Sequence, residues 1–215
     1  MSYVNIGQIM TRIILVRHGQ TAWNVESGER FRGRTDLPLD DTGLAQAQAL
    51  ARRLADHPIA AVYSSPLKRA VQTAQPTTQR LGLAVQPLPG LIDINYGDWQ
   101  GLSHPEAARA YPDLYQLWLD KPHLVTFPNG ESLRQVRRRG MAALKEVAVR
   151  HEDQAVLLVA HQVVNKVLVC AMLGLDNSHF WRIRQDNACI NVFDYQDGLF
   201  TAVLINDTCH LISDP

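Results

Sequence analysis

Two arginines and two histidines stand where the sequence predicts that buried strands end. Arg17 and His18 follow a short β-branched run, Arg69 stands soon after a second such run, and His161 follows a third. In an open α/β sheet, ligands bind beyond the carboxyl ends of the strands, so these side chains are expected at one rim. Guanidinium groups match phosphate oxygens in a bidentate manner, and a neutral imidazole can attack phosphorus. The set predicts a site for a small phosphate dianion.

Phosphoryl transfer through a histidine also needs an acid that protonates the departing alkoxide. Asp93 lies in a predicted loop after a candidate strand, and we predict that it is this acid. Fixed donors around the phosphoryl oxygens let such a reaction proceed without a metal, so no cofactor and no metal site are expected. Four other histidines lack metal-ligand spacing and are expected at the surface or at helix caps, namely His57, His104, His151 and His179.

The elements that must position these groups alternate between short apolar runs and helix-period segments. Strands are predicted over residues 12–16, 59–63, 85–88, 155–160, 190–195 and 199–205. Helices are predicted over residues 44–54, from a Ser65–Pro66 start to Arg80, over 103–121 with a break at Pro112, over 131–150 and up to Leu173. Right-handed crossovers then give a mostly parallel sheet with helices on both faces. The predicted fold class is therefore α/β, in three α/β/α layers.

Length and pattern together predict a single domain over residues 1–215. Folding a chain of this size hides roughly 70% of its unfolded surface, and single α/β domains reach about 200–250 residues. Residues 1–11 are expected to form a short N-terminal extension. The segment at about 102–129 does not fit the strand–helix alternation, and we predict that it is a small helical lid insertion.

Composition excludes several kinds of partner. Lys plus Arg and Asp plus Glu both number 21, and a net charge of zero argues against nucleic-acid and membrane-surface binding. The basic run Arg137–Arg139 is therefore predicted to be a solvated helix face. No apolar stretch approaches the roughly 20 residues of a membrane helix. Three cysteines without a CxxC pair predict reduced thiols in a cytoplasmic protein.

Six ordered fragments resemble the signatures of the histidine phosphatase (phosphoglycerate mutase-like) superfamily. They are Leu15–Thr21 with Trp23–Asn24, Pro38–Gly43 with Gln46–Ala47, Tyr63–Ala70 with Gln72–Ala74, Tyr96–Gly101, Pro128–Ser132 and Val159–His161. One fragment alone is a weak signal, but the ordered set is specific and spans most of the chain from residue 12 onward. The resemblance implies the phosphoglycerate mutase-like fold and a reaction through a phosphohistidine.

The resemblance also implies roles for individual residues. His18 matches the nucleophile of the family. Arg17, Arg69 and His161 match its phosphate clamp, and Asn24 matches a residue that contacts the phosphate. These positions are the substrate-binding and catalytic residues that the resemblance predicts.

Three positions depart from the family pattern. Asp93 stands where the family usually has a glutamate as proton donor, so this shorter acid needs a closer backbone or an intervening water. Gln162 stands where the family usually has glycine, and we expect its side chain to narrow the pocket or to donate to the substrate. Tyr96 stands where similar phosphoserine phosphatases have a histidine that holds the substrate, and its hydroxyl could bond a carboxylate.

The resemblance narrows the reaction within the family. The segment between Gly101 and Gly130 is shorter than in the mutases, which favours a phosphatase because a mutase must retain its intermediate. The back half resembles the metal-independent phosphoserine phosphatases, over stretches that include Phe180–Trp181 and Thr208–Leu211. Phosphoserine is therefore the first substrate candidate, and His210 is predicted to bind it. Related enzymes are often dimers, which leaves a homodimer open.

Two other functions stay open at this point. A phosphoglycerate mutase would use the same intermediate, and other small esters such as α-ribazole phosphate, sugar phosphates or phosphoglycerates could be the substrate of a phosphatase. A catalytically silent scaffold would bind phosphorylated ligands without turnover. The intact set of His18, Arg17, Arg69 and His161 argues against the scaffold.

Overall fold

The observed elements alternate along the chain as the apolar pattern predicts. The computed structural model describes residues 10–24 and 29–212. Its strands are β1 (Thr11–Arg17), β2 (Ile59–Ser64), β3 (Val85–Pro87), β4 (Ala155–Ala160), β5 (Ile190–Gln196) and β6 (Leu199–Asp207). Its α-helices are α1 (Asp41–Arg53), α2 (Lys68–Leu81), α3 (His104–Ala110), α4 (Pro112–Asp120), α5 (Leu133–Arg150) and α6 (Gln162–Met172). The predicted α/β class is confirmed.

One sheet of six strands carries the fold, in the order β3-β2-β4-β1-β5-β6. The strands β1, β2, β3 and β4 run parallel, whereas β5 and β6 pair antiparallel to their neighbours. Because β1 lies next to β4, the residues that follow these two strands meet at one edge, and Arg17 pairs in register with Ala160. The topology thus places the chain after Arg17 and the chain after Ala160 side by side.

Apolar side chains fill both faces of the sheet. Alternating residues of β1 separate into two clusters, with Ile13 and Leu15 in one and Ile14 and Val16 in the other. The first cluster packs against α5 and α6, and the second packs against α1 and α2. All six residues of β4 are buried, as expected for the central strand of a covered sheet. These contacts produce the predicted three-layer arrangement.

The start of α2 differs from the prediction. The helix begins at Lys68 after Leu67, and not at the Ser65–Pro66 pair. The hydroxyl of Ser65 lies 2.7 Å from Nε2 of His161 and 3.4 Å from the backbone nitrogen of Leu67. Ser65 is therefore engaged by the rim of the sheet and cannot cap the helix.

The segment 102–129 folds into two short helices that meet at Tyr111, immediately before Pro112. Proline at the first helical position suits a new helix start, and Ser103 begins α3 with a capping box to Glu106. Aromatic residues of this segment, among them Trp118, pack into the same buried cluster as Ile13 and Leu15. Among the described residues, no helix combines the length and apolarity that crossing a membrane requires.

Candidate active site

His18 lies directly after β1, is fully buried and presents one free nitrogen. Its Nδ1 is 2.6 Å from the carbonyl oxygen of Gly19, so Nδ1 carries the proton and donates it there. Among the described residues, Nε2 has no hydrogen-bond partner. Burial lowers the pKa of His18 well below its ordinary 6.5, and nearby cations such as Arg32 and Arg69 lower it further. The ring is therefore neutral near pH 7 and keeps an available lone pair on Nε2.

Gly19 allows this loop to pass close to the first turn of α1. A Cβ atom at Gly19 would lie 2.7 Å from the carbonyl oxygen of Gly43, which is shorter than an ordinary contact. The backbone nitrogen of Gly19 also donates to the hydroxyl of Thr73 at 3.0 Å, which ties the loop to α2. The position of the His18 ring thus depends on contacts with two helices.

Three buried guanidinium groups surround the His18 ring. Arg17 donates to the carbonyl of Gln185 at 2.6 Å, and Arg32 donates to the hydroxyl of Thr21 at 2.7 Å. Among the described residues, the Nε atoms of Arg17 and Arg32 have no partner. Burial and the neighbouring Arg69 lower the pKa of Arg32 to about 9. Buried cations with unused donors need an anionic ligand to offset their loss of hydration.

Arg69 is held in place by four acceptors. Its guanidinium donates to the carbonyl oxygens of Thr35 at 2.8 Å and Gly33 at 2.7 Å, and to Oδ2 of Asp93 at 3.0 Å. Its Nε also donates to Nδ1 of His161 at 3.2 Å. Because Nδ1 of His161 accepts, Nε2 carries the proton and donates to the hydroxyl of Ser65 at 2.7 Å.

His161 completes the rim from the neighbouring strand. Its ring centroid lies 5.2 Å from that of His18, so the two imidazoles face one space. Burial lowers the pKa of His161 well below 6.5, and the adjacent Arg69 lowers it further. Both imidazoles are thus neutral, while three guanidinium groups and the one carboxylate of Asp93 leave a net charge of +2. This charge complements a phosphate dianion.

The two buried neutral imidazoles predict a loss of stability in acid. Below about pH 6.5 the unfolded chain protonates both histidines while the folded chain does not, so protons favour unfolding. The free energy of unfolding is expected to fall as pH falls, by up to about 2.7 kcal/mol per pH unit for the pair. Urea unfolding of wild type and His161→Asn between about pH 5 and pH 6 measures this. The variant should lose about half of that slope, and equal slopes in the two proteins would contradict the prediction.

Asp93 reaches the rim directly in spite of its short side chain. Its Oδ2 lies 3.0 Å from Arg69 and 3.6 Å from Nδ1 of His161, and Oδ1 accepts from the backbone nitrogen of Ile94 at 2.9 Å. The carboxyl group also lines the cavity described below. The backbone therefore brings Asp93 close enough that no additional methylene is needed to contact the clamp.

Arg139 holds the Asp93 loop and is not part of a solvated helix face. Its guanidinium donates to the carbonyl oxygens of Gly90 at 2.9 Å, Ile92 at 2.6 Å and Asp93 at 3.2 Å. It is also paired with Glu131 at 3.0 Å. Arg137 likewise donates to a backbone carbonyl, that of Leu175, and only Arg138 of the run is exposed. The predicted solvated run is therefore wrong at two of its three positions, because backbone carbonyls of distant loops reach them.

Replacement of Arg139 by glutamine is expected to lower both stability and activity. The change removes charge-assisted bonds to three carbonyls, so the free energy of unfolding should fall by about 2 kcal/mol. Turnover should fall as well, because the loop that carries Asp93 loses its support. Urea unfolding and steady-state kinetics measure the two effects, with Arg138→Gln as the exposed control. Equal behaviour of the two variants would show that Arg139 does not hold the loop.

A cavity of about 260 Å³ opens beside this rim. Six of its fifteen lining residues are Trp, Tyr or Phe, and the lining contains three of the residues predicted to bind substrate, Asn24, Tyr96 and Gln162. Oδ1 of Asn24 accepts from the backbone nitrogen of Thr21 at 3.0 Å and from its hydroxyl at 3.1 Å. The Tyr96 ring is buried edge-on against Phe31 and Phe127. The full lining is Trp23, Asn24, Glu29, Arg30, Phe31, Arg32, Gly33, Asp93, Tyr96, His104, Trp118, Gln162, Val163, Phe180 and Trp181.

The structure brings together every predicted site residue except His210. That residue lies in a short 3-10 helix at Cys209–Leu211, which packs near α1 and does not line the cavity. Burial lowers the pKa of His210. Its place among the substrate-binding residues therefore stays a prediction.

Two residues of the site are not identified by the sequence pattern. Arg32 lies in a loop without periodicity, where the only signal is the alternation Arg30, Arg32, Arg34 beside Gly33. His104 is expected from the sequence at the surface or at a cap; it lies partly exposed at the start of α3, directly after the N-cap Ser103, and it also lines the cavity. Among the described residues, no group of three or more His, Cys, Asp and Glu side chains is arranged to hold a metal ion.

Comparison with known proteins gives a consistent set of relatives. A family model described as "Histidine phosphatase superfamily (branch 1)" matches residues 13–208. "Phosphoserine phosphatase 1" of Hydrogenobacter thermophilus is 37% identical over 202 residues, which cover 94% of this chain and 95% of that protein. "Metal-independent phosphoserine phosphatase" of Arabidopsis thaliana is 32% identical over 98% of this chain and 87% of its own. The solved structure of Bacillus stearothermophilus YhfR superimposes with a TM-score of 0.89 at 31% identity, over 94% of this chain and 100% of that one.

Proposed function

Because the chain belongs to the histidine phosphatase superfamily and is a phosphatase, we propose that it hydrolyses phosphoserine through a phosphohistidine on His18. The observation that carries the proposal is the His18 ring itself. Its Nδ1–H is committed to Gly19, and its unprotonated Nε2 lies among three guanidinium groups. A neutral nucleophile beside fixed cations is what attack on a phosphate dianion requires.

The first step forms one bond and breaks another. Nε2 of His18 attacks phosphorus, the bond from phosphorus to the ester oxygen breaks, and its electron pair stays on that oxygen. Arg17, Arg32 and Arg69 hold the three phosphoryl oxygens together with His161. Asp93 gives its proton to the departing alkoxide. The phosphoryl oxygens compete for the Arg69 donors that hold Oδ2 of Asp93 in the absence of a ligand.

The second step releases phosphate. After the alcohol leaves, Asp93 is an ionised carboxylate next to the phosphohistidine, and it accepts a proton from an attacking water. The oxygen of that water bonds to phosphorus, the nitrogen–phosphorus bond breaks, and Nε2 of His18 regains its lone pair. Asp93 is thereby protonated again for the next cycle.

The size of the cavity favours a substrate with a small leaving group. Its volume of about 260 Å³ lies just below the range of ligand pockets, which runs from about 300 to 1,000 Å³. Among the described residues, the Tyr96 hydroxyl and the Gln162 amide form no hydrogen bond within the protein. Both are available to a polar alcohol such as serine.

We further propose that residues 102–129 act as a lid, because His104 and Trp118 of this segment line the wall.

The compartment and the assembly are part of the proposal. Cys170 and Cys189 are free and buried, which fits a reducing cytoplasm. The single domain over 1–215 and the homodimer stay predictions. Sedimentation velocity on the purified chain tests the homodimer, and limited proteolysis tests the domain.

The proposed function is tested by phosphate release from a panel of esters in the presence of EDTA. The panel contains phosphoserine, 3-phosphoglycerate, α-ribazole phosphate and 4-nitrophenyl phosphate. We expect kcat/KM for phosphoserine to exceed that for the other biological esters by at least about 10-fold. Preference for another ester would discard phosphoserine but keep the His18 chemistry. Interconversion of phosphoglycerates faster than phosphate release would make the protein a mutase, and loss of turnover in EDTA would contradict a metal-independent reaction.

A further inference from the structure

We propose that His104, on helix α3, determines specificity by donating a hydrogen bond to a carboxylate on the leaving group of the substrate. This inference rests on the proposed function, since it names the part of the substrate that the cavity wall binds. The His104 side chain lines the same cavity as Asp93 and Gln162. It belongs to the lid segment, whereas the phosphate clamp follows the strands. Separate elements thus bind the phosphate and the leaving group of the substrate.

Neighbouring rings hold the imidazole of His104 in one orientation. Its ring centroid is 4.6 Å from that of Phe31 and 6.1 Å from that of Tyr115. Its Nδ1 lies 3.1 Å from the Tyr115 hydroxyl. The Tyr115 ring in turn stacks on Trp99, with the planes 30° apart. A side chain that is fixed before binding loses little rotamer entropy when the ligand arrives.

The hydrogen bond to Tyr115 decides which nitrogen of His104 carries the proton. A phenol is a stronger acid than a neutral imidazole N–H, and an imidazole nitrogen is a stronger base than a phenol oxygen. The Tyr115 hydroxyl therefore donates to Nδ1, and Nε2 carries the remaining proton. Among the described residues, the bond to Tyr115 is the one hydrogen bond of this side chain, and Nε2 is left to solvent or to a ligand. It can donate to a carboxylate and has no lone pair to offer an ammonium group.

The charge of the acceptor determines how strong the hydrogen bond from His104 Nε2 is. The His104 ring packs against Phe31 and Tyr115, and the same cavity is also lined by Arg30, Arg32 and Glu29. A hydrogen bond from His104 to a charged acceptor is stronger than one to a neutral acceptor. Charge-assisted bonds of this kind change affinity by about 10- to 100-fold. A carboxylated ester should thus be preferred over one that lacks the carboxylate.

Replacement of His104 by phenylalanine keeps the ring contacts and removes the donor. Four esters separate the possibilities: phosphoserine and 3-phosphoglycerate carry a carboxylate, phosphoethanolamine carries only an ammonium, and 4-nitrophenyl phosphate carries neither. For both carboxylated esters we expect kcat/KM to fall by about 10- to 100-fold, mainly through KM. The other two esters should change by less than about 3-fold. Tyr115→Phe, which keeps His104 but frees its tautomer, should give the same pattern with a smaller loss.

The chain contains a matched control pair outside the cavity. The Tyr63 hydroxyl lies 2.9 Å from Nε2 of His151, so Tyr63→Phe and His151→Phe make the same chemical changes elsewhere. These variants should leave all ratios between esters unchanged. Unchanged kinetics of His104→Phe on the carboxylated esters, or an equal loss on all four esters, would overturn the inference. A wild-type preference for phosphoethanolamine over both carboxylated esters would overturn it too.

The proposed substrate and the role of His104 can fail separately. If wild type hydrolyses 3-phosphoglycerate but not phosphoserine, the proposed substrate is wrong, and the ratio of 3-phosphoglycerate to phosphoethanolamine still tests His104. If phosphoserine is preferred and His104→Phe does not alter that preference, the proposed function stands and the inference about His104 is wrong. Melting temperatures of all variants show whether a loss of activity reflects unfolding.

Discussion

Replacing His18 by asparagine is expected to lower kcat for every phosphate ester by about 10⁴-fold or more. The amide has no basic lone pair, so the phosphoenzyme cannot form, and the remaining catalysis comes only from the surrounding donors. The amide group of the introduced asparagine can still donate to the Gly19 carbonyl that now accepts from Nδ1. Phosphate release measures the loss. Rapid quench in alkali with radiolabelled substrate, which preserves phosphohistidine, should show label on wild type and none on His18→Asn.

His57→Asn is the matched control for this experiment. His57 lies beyond the end of α1 and does not line the cavity, so its loss should leave kcat within about 2-fold of wild type. Peptide mapping of the labelled wild type should place the phosphoryl group on His18. Normal turnover by His18→Asn, or label on another residue, would show that the proposed nucleophile is wrong.

Replacing Asp93 by asparagine is expected to give a loss that depends on the leaving group. Serine leaves as a strongly basic alkoxide and needs a proton, so kcat for phosphoserine should fall by about 10²- to 10⁴-fold. The 4-nitrophenolate anion is stable without a proton, so formation of the phosphoenzyme from that ester should fall by less than about 10-fold. Asp93→Glu should recover part of the phosphoserine activity, because the acid is restored. Burst-phase kinetics separate the first step from hydrolysis of the intermediate.

The control for Asp93 is a carboxylate in the same part of the chain. Asp98 is exposed and bonded to Asn129 at 3.0 Å, so Asp98→Asn removes a charge without changing the clamp. It should leave both esters unaffected. An equal first-step loss on both esters in Asp93→Asn would mean that Asp93 acts only by holding Arg69, with which it shares the 3.0 Å contact.

Several features of the site can be read from neighbouring residues alone. His18 and His161 each follow a run of buried β residues, and such runs are local signals of a strand. Once a parallel sheet is inferred, the ends of its strands have a known position relative to a ligand. Asp93 follows β3 only after a 3-10 turn, so the strand pattern does not fix its position. Its contact with Arg69 depends on how that loop is held.

Other features depend on loops that have no periodic pattern. The sequence predicts that Arg139 faces solvent because it belongs to a run of three arginines on a helix. In the folded chain it lies against carbonyl groups of the loop 90–93, about 47 positions earlier in the sequence. The helix period fixes which face a residue occupies, but it carries no information on which loop covers that face. Arg32 lies in a loop without a period and His104 at the first position of a short helix, so no local pattern indicates that either residue lines the cavity.

The sequence by itself determined the α/β class, the order of the elements and four residues of the proposed phosphate site, because strand runs, helix stripes and strand-end motifs are properties of adjacent residues. Tertiary structure decided the rest. The proton position on His18, the buried Arg32, the support of Asp93 by Arg139 and the entry of His104 into the cavity all arise between residues far apart in sequence or from the folded path of the backbone. Burial and hydrogen-bond partners set charge and tautomer, and neither exists until the chain has folded.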